Sequence, residues 1–409
     1  MHLYKFNSMN PKTQKIALYT GLATLVALAL GTALLLTGGR SPRPADFSAA
    51  KPQPDLPESA YPKEPVVVYQ SDFSEDPGPE WDELTPTRHR VPSRKYYGDF
   101  YPNENPVLTL DSLPPHRLIR ATFDLLITDS WDGSCTKYGP SIFNLGLDDG
   151  RVLLNTTFCN LDFSDNMEQA FPDNYPSLPY HNFTLATERQ NLGVNRTFGG
   201  GQRDCSSVYH LELIFPHAEK QIEFSFTTKI RDGSYKGYGI ANMKVEALGQ
   251  YLKLSDQEMQ KMWEDLGSGI AERFWKAKWS LIAAGDDSVK YIQQHLNENI
   301  DLSDQVMQDL AKQIRSEDDP ASWDALYQLR NQGSRALPLL QSARGSSGIY
   351  FLALATTQWK ECPTWTSATE IRKWRLSAVL DAIHSTPALD LKGRIEKARM
   401  ADQKRKLSP

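Results

Sequence analysis

The chain has 409 residues, a formal net charge of −5 and 40% apolar residues. That length points to two folded domains, and that charge excludes the global basic field that holds nucleic acid. Its four cysteines show no spacing of two or four residues, which excludes the clustered ligands of a zinc module.

Residues 1–15 read as a short cytoplasmic tail. From Ile16 to Leu36 the chain carries no charge ("IALYTGLATLVALALGTALLL"). That run of roughly 20 residues is long enough to cross a hydrocarbon core of ~30 Å as a helix. We therefore expect a transmembrane helix over 16–37, acting as an uncleaved signal-anchor. The apolar region of a cleaved signal peptide is shorter, roughly 7–15 residues. Lys5, Lys12 and Lys15 precede the run, and Arg40, Arg43 and Lys51 follow it, so the charge rule leans only slightly toward a cytoplasmic N-terminus. On this reading the membrane is a partner through a single span, and the large C-terminal part is extracytoplasmic. Residues 38–65 are rich in Pro, Gly and Ser and have little to bury, which predicts an extended linker.

From 66 to 248 the pattern is that of short strands. "RLIRATFDLLI" (117–127) is the longest. "SIFNLGL" and "RVLLNTTF" flank Asp149-Gly150, a type I′ hairpin signal in which both central residues need positive φ. Many short strands separated by turns predict an antiparallel β-sandwich. The polar, aromatic stretch at 160–201 is long for a connection in a compact domain, and such loops often carry function. Cys135, Cys159 and Cys205 all fall in this block, and export permits a disulfide among them with the connectivity left open. Asn155, Asn182 and Asn195 open N-glycosylation triplets.

From 249 to 386 the pattern becomes helical. Ser255-x-x-Glu258 and Ser367-x-x-Glu370 are capping boxes, and Met259, Met262, Trp263 and Leu266 follow the first at helical spacing. Pro320 suits a first helical turn. The tail at 387–409 is basic and reads as a solvated helix. The fold class is thus a multidomain α+β chain: transmembrane helix, β-sandwich of jelly-roll type, then an all-α domain.

The phrase "TDSWDGSC" (128–135) concentrates the candidate chemistry. As a ligand-binding loop it offers Trp131 for sugar stacking, with Asp129, Asp132, Asn103 and Glu104 as polar partners. As a catalytic pair, Glu104 with Asp129 or Asp132 would serve a polysaccharide-acting hydrolase, which needs two carboxyls facing each other across a sugar. As a cation loop its oxygens suit calcium, although the spacing is not that of an EF-hand. The structural reading makes Asp and Gly the turn and Trp131 a cover for one end of the sandwich. No nucleotide-binding glycine motif, nucleophile elbow or paired-histidine zinc motif is present.

Two blocks resemble known families. Tyr101-Pro102-Asn103-Glu104, "VLTLDSLPPHRLIRATFDLLITDSWDG" and Gly139-Pro140, with "LLNTTFCN" and "GYGIANMKV", are similar to a jelly-roll-like domain of secreted and membrane-anchored bacterial proteins. The match spans most of 70–247, with departures at Tyr101-Pro102 and Ala241. The segment at 255–345, with "MWEDLGSGIAERFWKAKWSLIAAGDDSVKYIQQHL" and "LYQLRNQGSRALPLLQSA", resembles the HEAT-like helices of large planctomycete-type proteins. The first resemblance implies a structural calcium where first and last strands meet, with Asp72 and Asn242 as ligands and otherwise no cofactor. Ala241, where the family often has Asp, weakens that site. Neither family brings an activity. The expectation is therefore a membrane-anchored, non-catalytic recognition or scaffolding protein of the cell envelope. It would bind a glycan or another envelope protein through the loops at 128–139 and 160–205. The alternatives are the hydrolase and a plain structural spacer.

Overall fold

The computed structural model describes residues 56–82, 91, 94–135, 139–162, 168–177, 179–198, 200–230, 236–314, 320–342 and 367–407. The strands in chain order are β1 Val66–Ser71, β2 Tyr97–Phe100, β3 Val107–Leu110, β4 Leu118–Asp129, β5 Ser141–Leu147, β6 Val152–Thr157, β7 Glu168–Gln169, β8 Tyr180–His181, β9 Glu188–Arg189, β10 Asn195–Phe198, β11 Gly201–Asp204, β12 Ser206–Pro216, β13 Ile222–Ile230 and β14 Lys236–Leu248. The helices are α1 Asp256–Asp265, α2 Ala271–Ala284, α3 Asp286–His295, α4 Asp304–Gln313, α5 Pro320–Arg330, α6 Leu337–Ser342, α7 Ala368–Ile383 and α8 Thr386–Leu407.

Two antiparallel sheets face each other. One has the order β1-β14-β4-β12-β9, with β2 also on β14, and the other has β3-β13-β5-β6. The alternation read from the sequence of β4 is what builds the interface. Phe123, Leu125 and Ile127 point inward with Leu211, Leu213 and Phe215 of β12, and meet Phe143, Leu145, Phe224 and Phe226 of the second sheet. The β5–β6 connection differs from the expected type I′ turn. Only Gly150 has positive φ (86°), and its N–H donates to Leu147 O at 3.0 Å, so the chain turns on Asp148-Asp149 and closes with a glycine bulge. β10 and β11 pair as a small hairpin on either side of the glycine run at 199–201.

The helices complete the sandwich. β12 is paired with β9 only at Ser207 and Val208, so its remaining length is an edge, and β6 is the edge of the second sheet. α2 and α7 pack on β12, and α7 also on β6, which covers both edges. One apolar core runs through the seam: Phe158, Phe171 and Tyr209 of the sandwich meet Trp275 of α2, with the Phe171 and Trp275 rings 5.0 Å apart. A second, smaller core holds α4 to α6 together through Met307, Leu310, Leu326, Leu329 and Leu340. Strands and helices belong to one compact unit. Ser255 and Glu258 form the reciprocal capping box at α1, and Ser367 caps α7 by accepting from Glu370 N–H.

Polar groups lock the seam. Arg375 of α7 is 3% exposed and grips Asp173, with Nη2 at 2.6 Å and Nε at 3.0 Å from Oδ2. It also donates to Tyr180 Oη at 2.9 Å, Leu266 O at 3.0 Å and Ser268 O at 2.5 Å. The stretch at 168–182, part of the long connection expected to carry specificity, is thus largely buried under helices. Residues 56–65, the end of the expected linker, are likewise seated: Glu58 pairs with Arg117 at 2.7 Å, and the Arg117 guanidinium lies 4.2 Å from the Tyr61 ring centre. The first part of the basic tail is also anchored, with Ala388, Leu391 and Ile395 buried in the main core.

The membrane reading is corrected. The expected helix over 16–37 lies outside the described residues, and among the described residues no helix is long and apolar enough to cross a membrane. The transmembrane part of the fold class, the signal-anchor, the membrane as partner and the single-pass localisation are therefore not carried forward. The fold is mixed α and β with antiparallel sheets.

Truncating one partner of a buried ion pair leaves the other charge without compensation, at a cost of about 3–5 kcal/mol. Arg375→Ala in the full chain should lose about that much stability in urea unfolding. Arg375→Ala with Asp173→Ala should lose less than the sum of the two single changes.

Candidate functional site

Trp131 points inward. It is fully buried, its indole N–H donates to Gly237 O at 2.9 Å, and its backbone N–H donates to Asn160 Oδ1 at 2.9 Å. Asn160 is buried too, and its amide donates to Asp129 O at 2.6 Å and Cys205 O at 3.0 Å, stapling the loop to β12. Gly133 has φ 61°, and a Cβ there would lie 1.9 Å from Glu168 O. Only glycine fits both demands. The tightest sequence signal in the chain is therefore a closed turn plugged by an aromatic ring.

The acids around it are engaged as well. Asp129 is fully buried and forms an ion pair with Arg196, whose Nε is 2.5 Å away. Asp132 pairs with Lys236 at 2.6 Å. Glu104 accepts from Tyr101 N–H at 2.7 Å, and the Tyr101 hydroxyl approaches Asp129 at 3.5 Å. Asn103 has φ 77° beside it, in the same turn. The structure thus brings the 101–104 turn against the 128–135 turn through Tyr101 and Asp129, with the acids engaged by Arg196, Lys236 and the Tyr101 N–H. Asp72 and Asn242 fall opposite one another, since Ser71 pairs with Met243. Each is nonetheless used locally: Asp72 accepts from Ser74 N–H and Oγ–H, which holds its carboxyl below the usual range, and Asn242 donates to Asp124 at 2.7 Å. Among the described residues no group of three or more His, Cys, Asp or Glu could hold a metal ion. Cys135, Cys159 and Cys205 are free thiols, and burial pushes the Cys205 thiol up to about 12. Asn182, in one of the glycosylation triplets, is 5% exposed.

The open space lies at the other end of the sandwich. A cleft of about 740 Å³ sits where the β5–β6 and β12–β13 turns meet the start of α3 and the α7–α8 turn. Arg117, Arg151 and Lys220 line it together with Asp148, Asp149, Glu219 and Asp286. Arg151 forms its back wall, donating to Asp149 at 2.7 Å, Pro216 O at 2.5 Å and Ala382 O at 3.2 Å, so one guanidinium joins both turns to α7. His384 ends α7 in the left-handed conformation (φ 57°), and its Nδ1 is buried without a hydrogen bond among the described residues.

No family model matches this chain, and no curated protein does. Among solved structures it is similar to dimeric latent PorU from Porphyromonas gingivalis, at 10% identity and a TM-score of 0.22, over 38% of this chain and 11% of that one. The chain thus spans about a tenth of that protein, and a likeness so slight carries no argument.

His217 lines the cleft, and His116 is stacked on it with ring centres 5.1 Å apart and joined Nε2 to Nδ1 at 2.8 Å. That bond needs one bare ring nitrogen, so the two rings cannot both be charged. Burial, His116 and Arg151 hold His217 down to about 3. Asp148 is shifted upward, chiefly by burial. No spacing in the sequence marks this pair, because the contact joins positions 101 residues apart.

Trp131→Ala in the full chain should lose about 3–5 kcal/mol in chemical unfolding, the range for a large buried aromatic. Trp131→Phe keeps most of the packing but strands Gly237 O, and should lose about 1–3 kcal/mol.

The unfolded chain takes up a proton near pH 6.5 that folded His217 refuses until about 3. Its contribution is complete above about 6.5 and is lost as pH falls toward 3. Between pH 7 and 5 wild type should therefore lose about 2 kcal/mol that His217→Gln does not, read as a narrowing stability gap in paired urea titrations.

Proposed function

We propose that this chain is a non-catalytic recognition protein, and that it binds a segment of another protein in the cleft between sandwich and helices. The observation that carries this reading is unspent bonding capacity on the cleft wall. Among the described residues Lys220 and Glu219 have no ion pair and the buried His384 Nδ1 has no partner. A wall that offers both signs of charge suits a polypeptide carrying both, and favours correct over wrong partners by charge matching. The glycan reading relied on Trp131 as an open stacking platform. In the cleft the aromatic lining is Tyr251, and Arg117 already lies over its ring at 6.0 Å. The hydrolase reading required Glu104 to face Asp129 or Asp132, and none of the three lines this cleft.

A random-peptide phage library selected on the full chain should enrich sequences carrying both charges. Their binding should weaken roughly tenfold in Lys220→Glu, an exposed change that leaves the core intact. Full binding by that variant, or no enrichment at all, would remove the cleft from consideration. Signal on a glycan array in place of peptides would reinstate the sugar reading.

A further inference from the structure

A second cavity, about 290 Å³, lies between the 173–176 turn and helices α2, α7 and α8. It is walled by Lys278, Arg375, Asp173, Ser377 and Asn174, with Lys392, Asp381 and Glu396 at the α7–α8 side. The inner charges do not cancel. Asp173 is saturated by three contacts from Arg375. Arg375 spends its remaining donors on Tyr180 and two backbone carbonyls. On the other side Lys392 is taken by Asp381 at 2.7 Å.

Lys278 is left over. It is 2% exposed, and among the described residues no carboxylate or carbonyl lies within hydrogen-bonding distance of its ammonium. Its close neighbours are the rings of Trp279 and Trp275, at 5.0 and 5.7 Å. An ammonium held only by ring faces and a distant acid is poorly compensated, and burial lowers its pKa to about 8. Two more of the residues that line it carry a buried polar atom without a partner among the described residues: Ser377 Oγ, which can donate, and Asn174 Oδ1, an acceptor.

We propose that this cavity is a binding site for a small monocarboxylate that carries a hydroxyl or amino group beside its carboxyl. One oxygen of the carboxylate would accept from the Lys278 ammonium and the other from Ser377 Oγ, and the neighbouring O–H or N–H would donate to Asn174 Oδ1. Among the described residues that line the cavity, Lys278 is the one cation without an ion pair, and it matches a single negative charge. The acids Asp381 and Glu396 at the α7–α8 side disfavour a doubly charged phosphate. The volume admits a molecule of a few heavy atoms. This site is separate from the larger cleft, and its success or failure leaves the peptide-binding reading untouched.

The test uses the full chain with glycine, alanine, lactate, acetate and inorganic phosphate as probes, by thermal shift and isothermal titration. Lactate or an amino acid at roughly 10 mM should raise the melting temperature, and acetate and phosphate should do so less. Binding should weaken as pH rises through about 8, where Lys278 loses its proton. Lys278→Met keeps the length of the stem, removes a buried charge and should stay folded. It should bind roughly tenfold more weakly or worse, and Ser377→Ala should weaken binding by a smaller factor. No shift from any carboxylate, phosphate binding as well as lactate, or unchanged affinity in a folded Lys278→Met would each overturn the proposal.

Discussion

A guanidinium with almost no water around it decides how this chain is put together. Arg375 is 3% exposed, and a buried guanidinium must find acceptors for its donors inside the protein or destabilise the fold. The acceptors come from two places far apart in sequence, Asp173 and Tyr180 in the β7–β8 segment and Leu266 and Ser268 between α1 and α2, while α7 carries the guanidinium. None of these pieces can move without stranding a charge or a carbonyl. The pair therefore specifies one docking of helices on sheet where apolar packing alone would tolerate several. Arg151 repeats the device at the other end of the seam, with Pro216 and Ala382 carbonyls as its acceptors.

That docking explains why strands and helices form one unit. An eleven-residue β12 with most of one side unpaired is a template for wrong association, and β6 is a second exposed edge. α2 and α7 cover both and carry the core across with Phe171 and Trp275. Both cavities are consequences of this joint. Turns of the sandwich and helices meet there without filling the space between them, which leaves charged side chains along the walls of both cavities.

Legibility from sequence followed the range of the interaction. The inward alternation of β4 and the capping box at Ser255 are decided within a few residues, so the sequence announces them. The Asp149-Gly150 turn was visible as a turn, but its type depends on which residues take positive φ, and Asp149 does not. The stretch at 160–201 looked like a free loop because its partners are not local. Tyr180 packs on Tyr327 of α5, His181 on Trp323, and Asp173 waits for Arg375, all more than 140 residues away. Of the candidate site residues, Asn103, Glu104, Asp129 and Asp132 were grouped as polar partners of Trp131, and the turns that carry them do touch, through Tyr101 and Asp129. What could not be read was direction. Whether Trp131 faces in or out depends on Gly237 O, a backbone group with no sequence signature.

This inverts the usual relation between a conspicuous phrase and a functional site. "TDSWDGSC" is conspicuous because folding restricts it: Gly133 must have no Cβ, Trp131 must fill a fully buried space, and Asp129 must meet Arg196 without water. Each demand names one residue type, and together they make a phrase that looks like chemistry. The cleft and the inner cavity place no such demand on local sequence. Their residues sit singly on turns, strand ends and helices, at 117, 151, 220, 278, 377 and 384, and become neighbours only when the helices close on the sheet. A site assembled across a seam leaves no spacing pattern to detect. In this chain the search for unsatisfied groups after folding, rather than for crowded acids before it, is what locates a place where a ligand completes the hydrogen bonding.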